Sequence, residues 1–254
     1  MVDPRIVATL HQDGLAVVPG VLSPALVGAL QAELEQAIEQ DAIERPDVFD
    51  KGMVHNCMVR GAAMAKLLDQ PVMHRYLDQV FSDTCIVYAY QSSSLQPGQG
   101  NYGSRIHVDA PRFIPGYSTN MGVIFALNDF TLANGATYYL PGSHTVEQMP
   151  DEEAFRQKAL RACCAAGDMI LFHARLAHAA GANTTAVARH GLTINVCRSY
   201  MRQRFDFPRL VPQAVIDSLG PRGRSFLGMD VRMPTSLSEF YLPPEQRLYK
   251  PNQG

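Results

Sequence analysis

The spacing of apolar side chains predicts helices in the first third of the chain. Ser23 is a favoured N-cap residue, and Pro24 follows it at the first helical position. Beyond Pro24 the apolar residues recur every three or four positions and form one stripe on a helix over 23–40. This stripe consists of Leu26, Val27, Leu30, Leu34 and Ile38. A second helical region is predicted over 61–80, with a break near Pro71.

The pattern changes at Cys85 to short runs rich in β-branched and aromatic residues, which predict strands. Clusters of Gly, Pro, Asn and Asp separate these runs and predict turns. Helices followed by strands, without βαβ alternation, indicate an α+β fold that is mainly β, or a barrel buttressed by helices. The predicted strands are CIVYAYQ at 85–91, NMGVIFALND at 120–129, ATYYL at 136–140, DMILFHA at 168–174 and LTINVCRSY at 192–200.

The chain has 254 residues and no visible repeat or linker, which favours a single domain over 1–254. Within it we expect a helical buttress over 1–82, a barrel core over 83–204 and a C-terminal extension over 205–254. The sequence does not predict an oligomeric state.

Composition narrows the classes of partner. The formal net charge is −2, so no basic face for nucleic acid is expected, and a small-molecule substrate is favoured. No apolar window long enough to span a membrane is present, and the N-terminus does not resemble a secretory signal. The five cysteines show no CxxC spacing, so we expect buried thiols in a reducing, cytoplasmic setting.

Candidate metal ligands begin with the segment HVD, where His107 and Asp109 are two residues apart. In an extended segment such residues point to the same side and can converge on one ion, although a hydrogen-bonded pair on a loop is the alternative. Downstream, His173 and His178 each offer a third ligand, and Arg189 follows. Two His and one carboxylate on one face of an octahedron are typical of non-haem Fe(II) oxygenases.

Four motifs in this order resemble the phytanoyl-CoA dioxygenase family of Fe(II)/2-oxoglutarate-dependent oxygenases. They are HVD at 107–109, NGATYYLPGSH at 134–144, GDMILFHARLAHAAGANTT at 167–185, and Arg189. The resemblance implies a double-stranded β-helix, which is a cupin-like jelly-roll barrel, behind N-terminal helices. It also implies Fe(II) and the co-substrate 2-oxoglutarate as cofactors.

The resemblance further assigns the metal ligands as His107, Asp109 and His178, in preference to His173. It gives Arg189 the distal carboxylate of 2-oxoglutarate, which suits a guanidinium fork. His144 falls in a segment that is a tight turn in the family, so a structural role is expected for it.

Two further residues are implied to contact the cofactor. Gln91 is expected to donate to the C1 carboxylate of 2-oxoglutarate, with a plain strand role as the alternative. Thr137 resembles a position beside the cofactor tail, with a packing hydroxyl as the alternative. Ala180 departs from the family, because relatives often carry a Ser there that touches 2-oxoglutarate.

Substrate contacts are expected from the segment after HVD and from the strand that follows. The predicted residues are Arg112, Phe113, Tyr117, Asn120 and Phe125. Irregular stretches at 47–61 and 227–243 are candidates for a lid, with ordinary surface loops as the alternative.

The resulting functional hypothesis is a hydroxylase that uses dioxygen on an unactivated C–H bond and releases succinate and CO2. Its substrate is expected to be a small metabolite, such as a natural-product intermediate of secondary metabolism. Desaturation, epoxidation or ring formation at the same centre remains open. A cupin-like metal enzyme that does not use 2-oxoglutarate and a non-catalytic binding protein are the two competing hypotheses.

Overall fold

Helices occur in the N-terminal third, beside the strands and at the C-terminal end of the protein. The structure is a computed structural model, and it describes residues 1–48, 50, 52–98 and 102–250. The helices are α1 (Pro4–Asp13), α2 (Pro24–Glu44), α3 (Ala62–Lys66), α4 (Pro71–Val80), α5 (Glu152–Lys158), α6 (Phe207–Leu210), α7 (Gln213–Ser218), α8 (Pro221–Leu227) and α9 (Leu237–Phe240). The strands are β1 (Leu15–Val18), β2 (Ile86–Ser92), β3 (Asn120–Ala126), β4 (Thr137–Tyr139), β5 (Leu160–Ala162), β6 (Met169–His173), β7 (His178–Ala179) and β8 (Gly191–Cys197).

Both predicted helical regions are confirmed, and their local chemistry explains where they begin. The Ser23 hydroxyl accepts a hydrogen bond from the backbone N–H of Leu26, so this residue caps α2. The second region contains α3, a 3₁₀ helix over Leu67–Asp69, and α4. Pro71 opens α4 because proline is tolerated only in the first turn of a helix.

The strands form two antiparallel sheets. The larger sheet has the strand order β1-β6-β3-β8-β2, and the smaller has the order β5-β4-β7. The five predicted strands are all present, but the sequence patterns missed β1, β5 and β7. Residues 1–82, which were expected to form a helical buttress, also contribute β1, which pairs with β6 in the larger sheet.

The pairing among the described residues does not close a barrel. Isolated bridges join Leu95 to Arg189, His107 to His178 and Phe130 to Cys164. The observed architecture is thus a pair of antiparallel sheets flanked by helices, and the complete jelly roll that we expected is not confirmed.

Successive side chains on a strand point in opposite directions, and apolar residues of the larger sheet occur on both of its faces. Its outer face packs on the helices, and this core includes Val123, Leu171 and Ile194 together with Leu30 and Leu34 of α2. Its inner face packs on the smaller sheet. That second core includes Ala126, Ile170, Phe172, Ala136 and Ala162, with Ile124 and Tyr139 packed against it.

The C-terminal extension packs on the outer core rather than standing apart. Phe207, Ile216 and Phe226 are buried there. Helix α9 has no buried residue, and residues 251–254 of the extension lie outside the described chain. No helix in the part that the structure describes has the length and apolar character needed to span a bilayer.

The segment over 47–61 runs beside β2. The backbone N–H of Ser92 donates to the carbonyl of Val54, and His55 forms a bridge to Gln91. Phe49 and Lys51 lie outside the described residues, as do residues 99–101 of the Gly-rich run before His107.

Candidate metal centre

Backbone pairing brings two of the predicted ligands together. The N–H of His107 donates to the carbonyl of His178, and the N–H of His178 donates to the carbonyl of His107, both at 3.0 Å. The two imidazole centroids are 4.2 Å apart. His178 opens β7, so a distant segment is joined to the HVD segment by main-chain hydrogen bonds alone.

Asp109 completes the group. Its Oδ1 lies 3.6 Å from Nε2 of His107 and 3.8 Å from Nε2 of His178. All three ligand atoms lie within 4.8 Å of one another, so His107, Asp109 and His178 could hold one metal ion. Atoms bound at about 2.1 Å to one ion are separated by roughly 3–3.6 Å, so only a small contraction is needed.

The remaining ring nitrogens fix how each imidazole faces the centre. Nδ1 of His107 donates to the carbonyl of Arg105 at 2.7 Å, and Nδ1 of His178 donates to the carbonyl of Leu176 at 2.9 Å. Because a carbonyl only accepts, a neutral ring in this position keeps its lone pair on Nε2. Burial lowers the pKa of His178, which favours the neutral, metal-binding form.

A pair of asparagines supports the carboxylate. Nδ2 of Asn195 donates to Oδ2 of Asp109 at 3.1 Å, which leaves Oδ1 toward the imidazoles. Oδ1 of Asn195 in turn accepts from Nδ2 of Asn120 at 3.4 Å. This hydrogen-bond chain therefore orients Asp109 from the inner face of the larger sheet.

Arg189 shares that face with Asn195. Residues 189, 193 and 195 are an even number of positions apart along β8 and its bridged extension, so their side chains point to the same side. One strand thus connects the residue that supports Asp109 to the predicted cofactor-binding arginine.

The guanidinium of Arg189 is buried and has no acidic partner among the described residues. Arg189 is 3% exposed, and within that part of the chain it donates to the carbonyls of Gly135 and Ser93. It stacks on Phe130, 4.2 Å from the ring centroid, and its Nε has no hydrogen-bond partner in the described part of the chain. Burial lowers the pKa of Arg189 to about 10. A buried cation with a spare donor fits a carboxylate ligand, because such a ligand would compensate both.

Two small residues, Ser93 and Gly191, lie beside Arg189. The Ser93 hydroxyl is buried and has no partner among the described residues. A Cβ on Gly191 would lie 2.7 Å from that hydroxyl and 3.0 Å from Phe130. A side chain at position 191 would therefore crowd the groups around Arg189.

The remaining two predicted cofactor residues also face inward. Gln91 lies directly opposite Thr193 in the β2–β8 ladder, and its Oε1 accepts from Nη1 of Arg204 at 3.1 Å. Thr137, on β4, lies opposite Ala162 of β5, and its hydroxyl makes no hydrogen bond among the described residues. Both residues are half-buried.

The five predicted substrate contacts are not brought together. Arg112 is exposed, and Asn120 is buried on the inner face beside Asn195. Phe113 and Tyr117 line a cavity that contains none of the three metal ligands. Phe125 is fully buried in the outer core, opposite Leu192 and Met169, so it cannot line a pocket at the metal group.

The two histidines that were weighed as ligands and set aside lie elsewhere. His173 lies opposite Met121, which belongs to the outer core, so its side chain points away from the inner face. His144 is in the 3₁₀ helix over Ser143–Thr145, and its Nε2 donates to the carbonyl of His11, consistent with the expected structural role.

Three residues of the inner face were missed in the sequence. Asn195 interrupts an apolar strand, and its even spacing from Arg189 was a signal that could have identified it. Ser93 follows Gln91 by two positions, so the same even spacing could have identified it, whereas Arg204 reaches the site only through its contact with the distant Gln91.

Comparisons with known proteins identify the family and similar folds. The model of the phytanoyl-CoA dioxygenase (PhyH) family matches residues 10–191. An uncharacterised protein of Mycobacterium tuberculosis is 31% identical over 95% of this chain and 92% of its own length, and the dioxygenase FrzG of Cladobotryum is 25% identical over 90% and 85%. Among solved structures, AviO1 of Streptomyces viridochromogenes has a TM-score of 0.65 at 21% identity, covering 80% of this chain and 98% of that one. The epimerase SnoN, solved with Fe3+, alpha ketoglutarate and nogalamycin RO, has a TM-score of 0.62 at 22% identity, covering 77% and 84%.

Proposed function

This chain belongs to the phytanoyl-CoA dioxygenase family, and on that premise we propose that it is an Fe(II)- and 2-oxoglutarate-dependent oxygenase. Its reaction is the hydroxylation of an unactivated C–H bond in a small metabolite, such as a natural-product intermediate. Dioxygen is the oxidant, and succinate and CO2 are released. The double-stranded β-helix of this enzyme class is the architecture that we propose for the two sheets.

The observation that carries the proposal is the pairing of two features on one face of the larger sheet. A His-Asp-His group can hold a metal, and a buried guanidinium, with no acid beside it in the described chain, lies farther along the strand that supports this group. A metal enzyme that does not use a 2-oxo acid has no need for the buried, unpaired charge of Arg189. The names of the relatives, which include several dioxygenases, support the same class.

Each residue then has a defined task. His107, Asp109 and His178 would hold the ferrous ion, while Asn195 keeps the carboxylate in place. Arg189 binds the distal carboxylate of 2-oxoglutarate, Gln91 donates to its C1 carboxylate, and Thr137 lies beside its tail. When bound, the iron and the 2-oxo acid supply the oxidising chemistry, and the protein positions the C–H bond and excludes water.

Substrate contacts are proposed for the rim of the inner face. Asn120 lies beside the asparagine that supports Asp109, and Arg112 is on the loop between Asp109 and Asn120. Arg204 reaches Gln91 from beyond the edge strand β2. We propose that these groups give polar contacts to a substrate bound at the metal group, whose three side chains are 13–32% exposed.

The experiment is anaerobic titration of the purified protein with Fe(II) and 2-oxoglutarate. The expected result is the weak visible charge-transfer band of the chelate, lost in His107→Ala and retained in His11→Ala, a control at an exposed histidine. Retention of the band in His107→Ala would contradict the ligand assignment. Failure of the wild-type protein to bind Fe(II) would favour a non-catalytic binding protein.

A second variant separates the two metal-enzyme classes. Arg189→Ala is expected to bind Fe(II) normally but to lose the 2-oxoglutarate band. Unchanged 2-oxoglutarate binding in this variant would contradict the role of Arg189, and wild-type turnover without added 2-oxoglutarate would favour a cupin-like enzyme that does not use that co-substrate. Metabolites that perturb the band and raise succinate release are then analysed by mass spectrometry. Gain of one oxygen atom in the product indicates hydroxylation, whereas loss of two hydrogen atoms indicates desaturation.

A further inference from the structure

A cavity of about 360 Å³ lies on the outer side of the larger sheet, away from the metal group. Its walls come from α1, the end of α4, the loop over 113–118, and the paired residues Met121 and His173. Met121 belongs to the outer core, whereas Asn120 next to it faces Asn195 on the metal side. The sheet therefore separates this cavity from His107, Asp109 and His178.

The polar groups of the cavity are basic or neutral, and no acidic side chain of the described residues lines it. The cationic side chains are Arg175 and Arg198, and three imidazoles, those of His11, His144 and His173, add polar surface. The apolar walls are Leu10, Val80, Phe113, Ile114, Pro115 and Met121. A chamber with this combination of cationic and apolar walls matches an anion attached to an apolar body.

Arg198 is positioned as the anion-binding group. Its Nε donates to the carbonyl of Ser118 at 3.1 Å, and its guanidinium lies 4.4 Å from the ring centroid of Phe81 and 4.8 Å from that of Tyr117. Neither terminal nitrogen has a hydrogen-bond partner in the described residues, and no ion pair involves Arg198 there. The fork is held in place while both of its ends remain free.

Arg175 adds a second cation that lacks an acid within the described chain. It is 6% exposed, and its terminal nitrogens donate to the carbonyls of Pro111, Val146 and Glu147. Its Nε has no partner among the residues described. Carbonyl dipoles orient this guanidinium but leave its net charge uncompensated.

His173 contributes a neutral donor. Its Nδ1 accepts from the backbone N–H of Arg175 at 3.1 Å, so in the neutral ring the proton is on Nε2. Burial is the main cause that lowers the pKa of His173 to about 4, which keeps the ring neutral at pH 7. Its ring centroid lies 5.0 Å from that of His144, so the two imidazoles form one wall.

We propose that this cavity is a second binding site, specific for a small organic carboxylate with an apolar body, and that it binds independently of the metal centre. The carboxylate is held by the free end of Arg198 and faces Arg175 and His173, and the apolar body lies against Leu10, Phe113 and Met121. A neutral isostere lacks the charge that the two guanidinium groups require. The proposal does not rest on the oxygenase function, because none of its residues is a metal ligand.

Isothermal titration calorimetry of the Fe(II)-loaded full-length protein with 4-phenylbutyrate tests the proposal. We expect binding at one site, unchanged by saturating 2-oxoglutarate and unchanged in Asp109→Ala. Replacing the probe by 4-phenylbutyramide is expected to weaken binding at least about tenfold, because charge-assisted hydrogen bonds are lost. Arg198→Gln is expected to weaken 4-phenylbutyrate to a similar extent, whereas the matched control Arg202→Gln, exposed on the same segment, keeps the wild-type affinity.

Ile114→Trp provides an independent variant. Ile114 is a half-exposed loop residue that lines the cavity, and the larger Trp side chain is expected to fill the cavity without removing a charge. Loss of binding in this variant supports the site even if Arg198→Gln does not fold. The proposal is overturned if the wild-type protein does not bind 4-phenylbutyrate, if the amide binds equally well, or if both cavity variants retain full affinity. Loss of binding in Asp109→Ala or competition by 2-oxoglutarate would also overturn it, since either places the carboxylate at the metal.

Discussion

Asn195 is the residue outside the candidate ligands His107, Asp109 and His178 whose replacement gives the sharpest test of the site. Its amide donates one hydrogen bond to Oδ2 of Asp109, and Oδ1 is the oxygen that faces both imidazoles. We predict that Asn195→Ala weakens metal binding because Asp109 loses the contact that fixes the rotation of its carboxylate.

The size of the effect follows from the kind of contact. A hydrogen bond to a charged group contributes about 1.5–3 kcal/mol. Asn195 and Asp109 are both partly open to solvent, so the lower end applies, and about 1.5 kcal/mol corresponds to roughly a tenfold loss of affinity. The weaker contact to Asn120, at 3.4 Å, adds little.

Anaerobic titration with Co(II), followed by its visible absorption, measures the metal affinity of wild-type and variant proteins. Thr193→Ala is the matched control, because Thr193 lies on the same strand face and its side chain makes no hydrogen bond within the described chain. An affinity of Asn195→Ala within about twofold of that of Thr193→Ala would refute the reasoning. Urea unfolding of both variants checks that the effect is not a loss of folded protein.

Three further predictions test neighbouring parts of the structure. Arg189→Lys keeps the charge but not the planar fork, so we expect the affinity for 2-oxoglutarate in the chelate titration to fall about tenfold or more, with Fe(II) binding unchanged. Gly122→Ala would bring a Cβ within 2.0 Å of the Phe172 ring. Urea denaturation is therefore expected to show that the free energy of unfolding falls by about 1–3 kcal/mol. Burial lowers the pKa of His173 in the folded protein from 6.5 to about 4, so the unfolded chain binds the proton more tightly. We therefore expect the free energy of unfolding to fall as the pH drops from about 6.5 to 4, by up to about 3 kcal/mol. Denaturation curves across that range are expected to show a smaller loss for His173→Gln than for wild type; equal slopes would contradict this.

The strand predictions succeeded where a run was long and rich in β-branched residues, as for β3 and β8. They failed for β5 and β7, which have three and two residues and are strands only because β4 lies between them. At this length the residue pattern marks a strand only where β-branched or aromatic residues cluster, as in the equally short β4, and otherwise tertiary pairing decides the conformation. Strand β1 was missed for the same reason, because four residues after a helix are set by the neighbouring strand β6.

The proximity of the three candidate ligands could be predicted from the sequence, but the surroundings of the site could not. His107, Asp109 and His178 come together as the family resemblance implied. Phe125 was misplaced because the resemblance gave a position but not a face, and it points to the outer core, opposite to Ile124. Tyr117 was expected beside the substrate. It instead lines the cavity on the outer side of the larger sheet, where its hydroxyl forms a hydrogen bond with that of Tyr200.

The two reciprocal main-chain bonds between residues 107 and 178 mean that the imidazoles are held as neighbours before any ion arrives. Metal uptake then costs little chain ordering, in contrast to small zinc domains that fold only around their ion. Removing the ion should leave the protein folded. The rate at which one divalent cation replaces another should then depend on the release of the ion by its ligands and not on refolding of the chain. A His-Asp-His group that is assembled in this way is also expected to bind zinc or cobalt. Such ions, taken up during purification, are therefore expected to inhibit binding of Fe(II).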